Sequence, residues 1–596
     1  MSVEATLPPK IGADAQGRRL ESWKEIATYL GRDVTTVRRW EKREGLPVHR
    51  LYHSKLGSVY AYTAELDAWR NERVPEATAS GMGANRAPET GKRFRRVMTL
   101  AVVGLALAGG SAWLWRQRSA KLAASAASSQ ISSVAVLPLQ NLSGNPAQDY
   151  LADGVTEALI GQLSTIQGLR VISRTSSMQF KGTRSSVPEI ARKLKVRAVV
   201  EGSVIRSGDR IRITAQLIQG ETDVHLWSGT FDRELRDVLE LQSDVAQAIA
   251  RQIEVTITGQ EGNKLAAVRA VSPEVYDSYL KGRFELHKNT RAGLEEALRH
   301  FQAALRADPT FAPANAGLAA AYTALGTVFF GASPLEVRPK VLAAAKKALE
   351  LDPDLVEAHV LFANALQEEW KWAEAEAEYK QAIALSPSNA GALDSFAKWL
   401  LCQGRTEESL ASARRAQELD PLAFNGVQTG WILFHARRYE EAIRELRTAV
   451  TIEPQNPWAL WYLGFALTGA EQFDEAIRVL EKVTSMSNRN SAVLGVLVRA
   501  YARGGRRAEA LRVLDELHRR RQKGYVPPAA FLNAYLGLGD TEQAFEWLRR
   551  AAEEKSNMMQ FLKVHPFFDS IRGDPRFAEF LRRANFSPKQ PATRPA

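Results

Sequence analysis

Residues 34–43 carry Thr35, Thr36, Arg38, Arg39, Lys42 and Arg43, interleaved with Val34, Val37 and Trp40 at a spacing of three. On a helix that spacing turns the apolar set inward and leaves hydroxyl and cationic groups on an outer face. Such groups suit the base edges and phosphates of a DNA major groove. Just ahead, Trp23, Ile26, Ala27 and Leu30 make the apolar face of another helix, and Gly31 supplies a turn. This is the spacing of a helix-turn-helix. A short hairpin over 47–62, with His49, Arg50 and Lys55, would form a wing beside it. The chemistry implied is recognition of duplex DNA; the bland alternative is an ordinary solvated basic face.

Elsewhere the residues offer little chemistry. Asp153 and Glu157 lie one helical turn apart and could be read as an acid and base pair, but without a partner site they are expected to be a solvated face. His225, beside Trp227, reads as a packing residue at a strand end. The signatures HExxH, GxSxG and GxxxxGK[ST] are absent, as are those of protein kinases. The single cysteine, Cys402, excludes an intramolecular disulfide and cannot alone hold a structural zinc. No catalytic residue, metal or cofactor is expected, and the chain is read as a non-enzyme.

The elements that must position the basic helix form only a small part of the 596 residues, too many for one core. The net charge is +12, and residues 1–96 hold 18 Lys plus Arg against 12 Asp plus Glu, so this segment is where an anionic partner is expected. Residues 97–115 are apolar without a charge. As a helix they would reach about 28 Å, enough for one bilayer pass. Five cations precede them within a few residues (Arg86, Lys92, Arg93, Arg95, Arg96) and three follow (Arg116, Arg118, Lys121). With a polar start to the chain, this predicts a single-pass protein of the bacterial inner membrane, its N-terminus cytoplasmic and its C-terminal part periplasmic. Gly104, Ala108 and Ala112 would offer a small-residue face for a homodimer.

Beyond the span, β-branched or alternating runs at 134–139, 169–173, 198–202 and 210–217 read as strands, with helical patterns at 149–163, 187–194 and 235–253. An α/β domain follows from the alternation. From residue 272 the pattern is helical only, with a period near 34. Its marks are Ala297, Val341, Ala375, Ser409, Ala442, Ala476, Ala510 and Ala544, spaced 44, 34, 34, 33, 34, 34 and 34. Pro309, Pro353, Pro387, Pro421 and Pro454 stand twelve residues after the first five marks, where they would end a helix. Ala363, Ala397, Gly430 and Gly464 stand twelve residues before four of the marks, where paired helices must approach closely. The long first step implies an insertion or a degenerate unit around 326–339. The close of the chain reads as a cap over the last apolar face.

These patterns resemble known families. Residues 20–70 are similar to the MerR and excisionase-like winged helix-turn-helix family, which places recognition positions on Thr35, Thr36, Arg38 and Arg39. Through VAVLPLQNLSGNP, YLADGVTEALIGQLS and HLWSGTFDREL, the middle segment resembles TolB-like amino-terminal domains. The repeats resemble tetratricopeptide units. The implied fold is multidomain: winged head 1–73, basic linker 74–96, transmembrane helix 97–115, linker 116–130, α/β domain 131–258, all-α repeat solenoid 272–556, and cap with tail 557–596. The arrangement is similar to CadC and ToxR-type regulators. It implies a membrane-anchored transcriptional regulator with duplex DNA, a protein or peptide in the repeat groove, the lipid bilayer and a second copy as partners. The competing reading is an envelope scaffold whose head does not regulate transcription.

Overall fold

The computed structural model describes residues 18–51, 58–71, 131–253, 271–327, 329–330, 332–422 and 426–586. Two compact units divide the chain, Met1–Arg116 and Gln117–Ala596. In the first, the order is β1 (Arg19–Leu20), α1 (Trp23–Leu30), α2 (Val34–Glu44), β2 (His49–Leu51), β3 (Ser58–Tyr62) and α3 (Thr63–Asn71). Ser22 caps α1 and Asp33 caps α2. Between them Gly31 sits at φ +61°, a left-handed turn that glycine adopts without strain. Ile26, Ala27, Leu30, Val37 and Leu66 are buried in one small core, and the strands pair antiparallel in the order β1-β3-β2.

The second unit opens with an α/β domain: β4 (Ser133–Val136), β5 (Gln140–Asn141), α4 (Asp149–Leu163), β6 (Arg170–Val171), α5 (Arg174–Met178), α6 (Val187–Leu194), β7 (Ala198–Ser207), β8 (Arg210–Gln219), β9 (His225–Glu234) and α7 (Val238–Gln252). The sheet order is β6-β4-β7-β8-β9, with β5 continuing alongside β7. Parallel pairing around β4 gives way to two antiparallel hairpins. Val155, Leu159 and Leu163 of α4 and Leu241, Val245 and Ile249 of α7 cover one face of the sheet, while Ile190 and Leu194 of α6 cover the other.

Eight helix pairs follow: α8 (Pro273–His287) with α9 (Arg291–Ala307), α10 (Ala312–Leu325) with α11 (Pro334–Leu351), α12 (Val356–Glu368) with α13 (Trp372–Leu385), α14 (Ala390–Cys402) with α15 (Thr406–Leu419), α16 (Val427–His435) with α17 (Tyr439–Ile452), α18 (Pro457–Gly469) with α19 (Phe473–Met486), α20 (Ser491–Arg503) with α21 (Arg507–Arg521) and α22 (Pro528–Leu538) with α23 (Thr541–Glu553). Each of the eight marks at the 34-residue period falls, buried, in the second helix of its pair. The small residues ahead of them are explained by contact: a Cβ on Gly464 would stand 2.5 Å from Leu480, and one on Gly430 would stand 2.5 Å from Leu446. The 44-residue step is an insertion, since the link from α10 to α11 is long and α11 starts early, at Pro334.

Two expectations change. The closing segment, with short turns at Asn557–Phe561 and Pro566–Phe568 and the helix α24 (Pro575–Arg583), reaches well beyond the last repeat. Phe561 and His565 meet Trp431, Phe567 stacks on Phe465, and Phe586 stacks on Trp372 at 4.7 Å. Trp372 Nε1 donates to Ala584 O at 2.8 Å. Residues 557–586 therefore fold back along the middle repeats, because their inner face is too aromatic to be left to water. The second change concerns the membrane. Among the described residues no helix is long and apolar enough to cross a bilayer. At 18 residues, α11 is long enough, but it carries Glu336, Arg338, Lys340, Lys346, Lys347 and Glu350. This overturns the single-pass inner-membrane placement; the segment 97–115 on which it rested lies outside the described residues, as do both linkers flanking it.

Candidate functional site

On α2 the predicted residues separate into three groups. Thr35, Arg39, Lys42 and Arg43 are exposed and lie on one stripe, at helical spacings of three and four. Arg39, Lys42 and Arg43 make no ion pair or hydrogen bond with the described residues. Like charges so spaced repel one another unless an anion intervenes. Thr36 is spent on structure: its backbone N–H and its Oγ1 donate to the Asp33 carboxylate at 2.8 and 2.7 Å. Those bonds, the hydroxyl's first, hold the Asp33 carboxyl below its usual range. The Arg38 guanidinium lies over the Trp23 ring at 5.2 Å, which ties it to α1.

In the segment expected to form a wing, β2 and β3 pair antiparallel, with His49 opposite Tyr60 and Arg50 opposite Val59. His49 is pinned there, Nε2 2.8 Å from Glu65 Oε2 and its ring stacked on Tyr60 at 5.1 Å. Arg50 is placed by its backbone in β2, and Lys55 lies outside the described residues. Missing from the sequence reading was α3, which closes the head. Its Leu66 is fully buried, its Trp69 packs 5.5 Å from Trp40, and Asp67 accepts from Tyr29 Oη at 2.7 Å. The signal was the pair Leu66 and Trp69 at a spacing of three.

In the second unit the acidic pair on α4 is not a solvated face. Asp153 is buried and bound by Lys181 Nζ at 2.7 Å. Glu157 accepts from Arg283 and faces Arg174 at 3.4 Å and His287 at 4.0 Å. Arg283 in turn donates to both oxygens of Glu357, at 2.6 and 2.7 Å. Burial pushes the Glu157 carboxyl up, but Arg283, His287 and Arg174 together bring it down to about 2. The same burial takes His287 to about 4. A chain of charges thus joins the α/β domain to α8 and α12, the first and third repeats. His225 stands at a strand end as expected, opening β9, but it is exposed there instead of packed.

The groove expected to take a partner is partly filled. Arg437 pairs with Asp569 at 2.5 Å, Gln367 Nε2 donates to Gln560 Oε1 at 2.6 Å, and Lys563 Nζ donates to Gln403 O at 2.8 Å. These contacts lay the closing segment along the inner side of the middle repeats. Among the described residues no group of three or more His, Cys, Asp or Glu could hold a metal ion.

Residues 129–248 match the family model described as HilA/YgeH-like transcriptional regulator, second domain, and residues 433–483 and 467–526 match a tetratricopeptide repeat model. The segment read as TolB-like is the one covered by the regulator-domain model. A curated relative from Rhizobium meliloti (strain 1021), named putative adenylate cyclase 3, is 38% identical over 235 residues, 39% of this chain and 40% of the relative. The chain therefore spans two fifths of the length of the curated relative it matches. That relative's name points to an enzyme and overturns the expectation of a non-enzyme. Among solved structures, a human IFIT1 dimer with m7Gppp-AAAA is 18% identical, covering 59% of this chain and 80% of its own, with a TM-score of 0.39. Yeast Tom70 is 16% identical, covering 58% and 83%, with a TM-score of 0.35. Both are too distant to bear on function. The chain thus carries a domain like the second domain of HilA/YgeH-like transcriptional regulators, followed by tetratricopeptide repeats.

Proposed function

We propose that this protein is a transcriptional regulator whose winged helix-turn-helix head binds duplex DNA and whose repeats dock a protein partner. The carrying observation is the stripe Thr35, Arg39, Lys42 and Arg43, exposed on α2 with no counter-charge for its three cations among the described residues. The regulator-domain match at 129–248 supports it. In this reading the three cations face phosphates, Thr35 reaches base edges, and Arg38 and Thr36 hold the helix in place. The resemblance to MerR and excisionase-like heads belongs to the same proposal, as does binding as a homodimer to two half-sites. The test is a gel shift of the full chain on genomic fragments across a salt series. If about five phosphates are neutralised, the log-log slope is about −4 to −5, and Arg39→Ala or Lys42→Ala each reduces it by roughly one. A salt slope unchanged in both variants refutes the assignment.

An enzymatic reading stands beside it on the name of the curated relative. Its test is direct: the full chain is incubated with ATP and a divalent cation, and cyclic AMP is measured. Product above a heat-inactivated control supports it, and none refutes it.

A further inference from the structure

The two edges of the α/β sheet are finished differently. At the β6 edge the solenoid closes in: Arg170 Nη1 donates to Glu418 O at 3.0 Å, and Ser173 N to Leu419 O at 2.8 Å. The other edge is β9, which among the described residues pairs with β8 alone. Leu235 N donates to Asp209 O at 2.7 Å, and this sets the backbone of Phe231, Arg233 and Leu235 toward β8. Backbone groups alternate sides along a strand, so Ser228, Thr230 and Asp232 turn theirs outward. Of those N–H and C=O groups only Asp232 O has a partner among the described residues, the Arg233 guanidinium at 3.2 Å.

Open edges are normally blunted by Lys, Pro, an inward charge or a bulge. Residues 227–231, WSGTF, carry no charge and no Pro, and the bulge opposite Leu217 and Ile218 ends before them. Just ahead, Val224 and Leu226 leave large apolar side chains exposed. On the core side the Trp227 and Phe231 rings close over Gly229, where a Cβ would stand 2.4 and 2.9 Å from them.

This run is complementary to itself. A two-fold axis perpendicular to the sheet at Thr230 sets Thr230 against the partner's Thr230 and Ser228 against the partner's Asp232, so that the outward groups meet as hydrogen-bonded pairs. On the core side each Phe231 then faces a Gly229, and each Trp227 faces an Arg233, a ring against a gap and a ring against a cation. No charge faces a like charge. Centred one residue earlier, the same strands would set Arg233 against His225 and Asp232 against Leu226. A strand of unrelated sequence would leave this match without a reason.

We propose that β9 is a self-association edge: the β9 strands of two copies pair antiparallel about Thr230 and join their sheets into one. The pairing lies in the second unit and stands apart from DNA binding by the head.

The full chain is weighed without DNA by sedimentation equilibrium and should show the mass of two chains, with a Kd of roughly 10 μM or tighter. Thr230→Pro removes an outward N–H and no bond to β8, so the melting temperature should hold while the Kd rises at least about tenfold. Thr230→Lys sets two ammonium groups across the axis and should weaken the dimer likewise. Cross-linking reads the register, because opposed residues of a hydrogen-bonded pair have Cα atoms about 5.5 Å apart, within disulfide reach. Under copper-phenanthroline oxidation Thr230→Cys should form a covalent dimer and Ser228→Cys, displaced from its own copy, should not. The native Cys402 is buried, so the unchanged chain is the blank. A monomer overturns the proposal, whether its Ser228 and Thr230 amides exchange freely or another part of the chain protects them. So does full affinity in Thr230→Pro or Thr230→Lys, or cross-linking by Ser228→Cys as fast as by Thr230→Cys.

Discussion

Two guanidiniums, of Arg283 and Arg174, converge on the Glu157 carboxylate with His287 beside them, and its titration is the clearest residue-scale consequence. Its ordinary value of 4.5 falls to about 2 in the folded protein. A group depressed by folding adds stability above its unfolded value, so the contribution is present above pH 4.5 and is lost as pH falls toward 2. In acid denaturation, Glu157→Gln should flatten the stability profile over that window and lower stability at pH 7, because Arg283 and Arg174 keep their charge with less to balance it. An unchanged acid profile would refute the assignment. The spacing of Asp153 and Glu157 placed both on α4, as the sequence indicated, yet nothing local reveals their partners. Arg283 stands 126 residues away, and Lys181 28, so their burial depends on tertiary docking. The stripe on α2 was more legible, since helical spacing alone separates Val37 from Arg39. What spacing does not show is that Thr36 and Arg38 have internal partners.

At the scale of elements, close approach decides the packing. Gly495 on α20 faces the backbone of α22, where a Cβ would stand 2.3 Å from Ala530 O. Backbone cannot rotate aside as a leucine tip can. Gly495→Ala should therefore cost about 1–3 kcal/mol and shift the chemical-denaturation midpoint without changing the slope. Gly430→Ala, where the neighbour is the Leu446 side chain, should cost less, and the reverse order would contradict this reading. The closing segment offers a second case. Phe586 is buried against Trp372, and Phe586→Ala should cost about 3–5 kcal/mol and speed proteolysis after residue 556 if that segment is tied down by this contact. Periodicity located all eight repeat pairs because every unit buries the same positions. It failed for β9, whose residues HLWSGTFDRE are mostly polar because it is an edge strand. It also failed for the closing segment, which has no period and whose path is set by the aromatic surface of distant repeats.

Among the described residues of the second unit the α/β domain and the repeats share an apolar core, in which Val275, Tyr276 and Leu280 of α8 lie with Leu151, Val155 and Ile249, and two polar sets add to it. One is the charge chain through Glu157, Arg283 and Glu357. The other is a set of loops: Ser386 Oγ donates to Ser164 O at 3.1 Å, Ser388 Oγ to Leu169 O at 2.7 Å, Ser173 N to Leu419 O at 2.8 Å and Ser176 Oγ to Asp420 at 2.5 Å. Most of these groups are buried, so separating the two parts would strip them of partners. The α/β domain and the solenoid should then open together. Cys402 reports on the solenoid, because it is the single cysteine, fully buried, and burial pushes its thiol up to about 12. Hydrogen exchange of the β7 and β8 amides reports on the α/β domain. In the native protein, thiol labelling of Cys402 should be slow, and its opening free energy should match that of the sheet within about 1 kcal/mol. Arg283→Met keeps the bulk but leaves Glu157 and Glu357 without their shared cation, at a cost of about 3–5 kcal/mol. That loss falls on the joint, so in the variant the sheet should exchange sooner than Cys402 is labelled. Equal opening energies in Arg283→Met would mean that the charge chain does not couple the two parts.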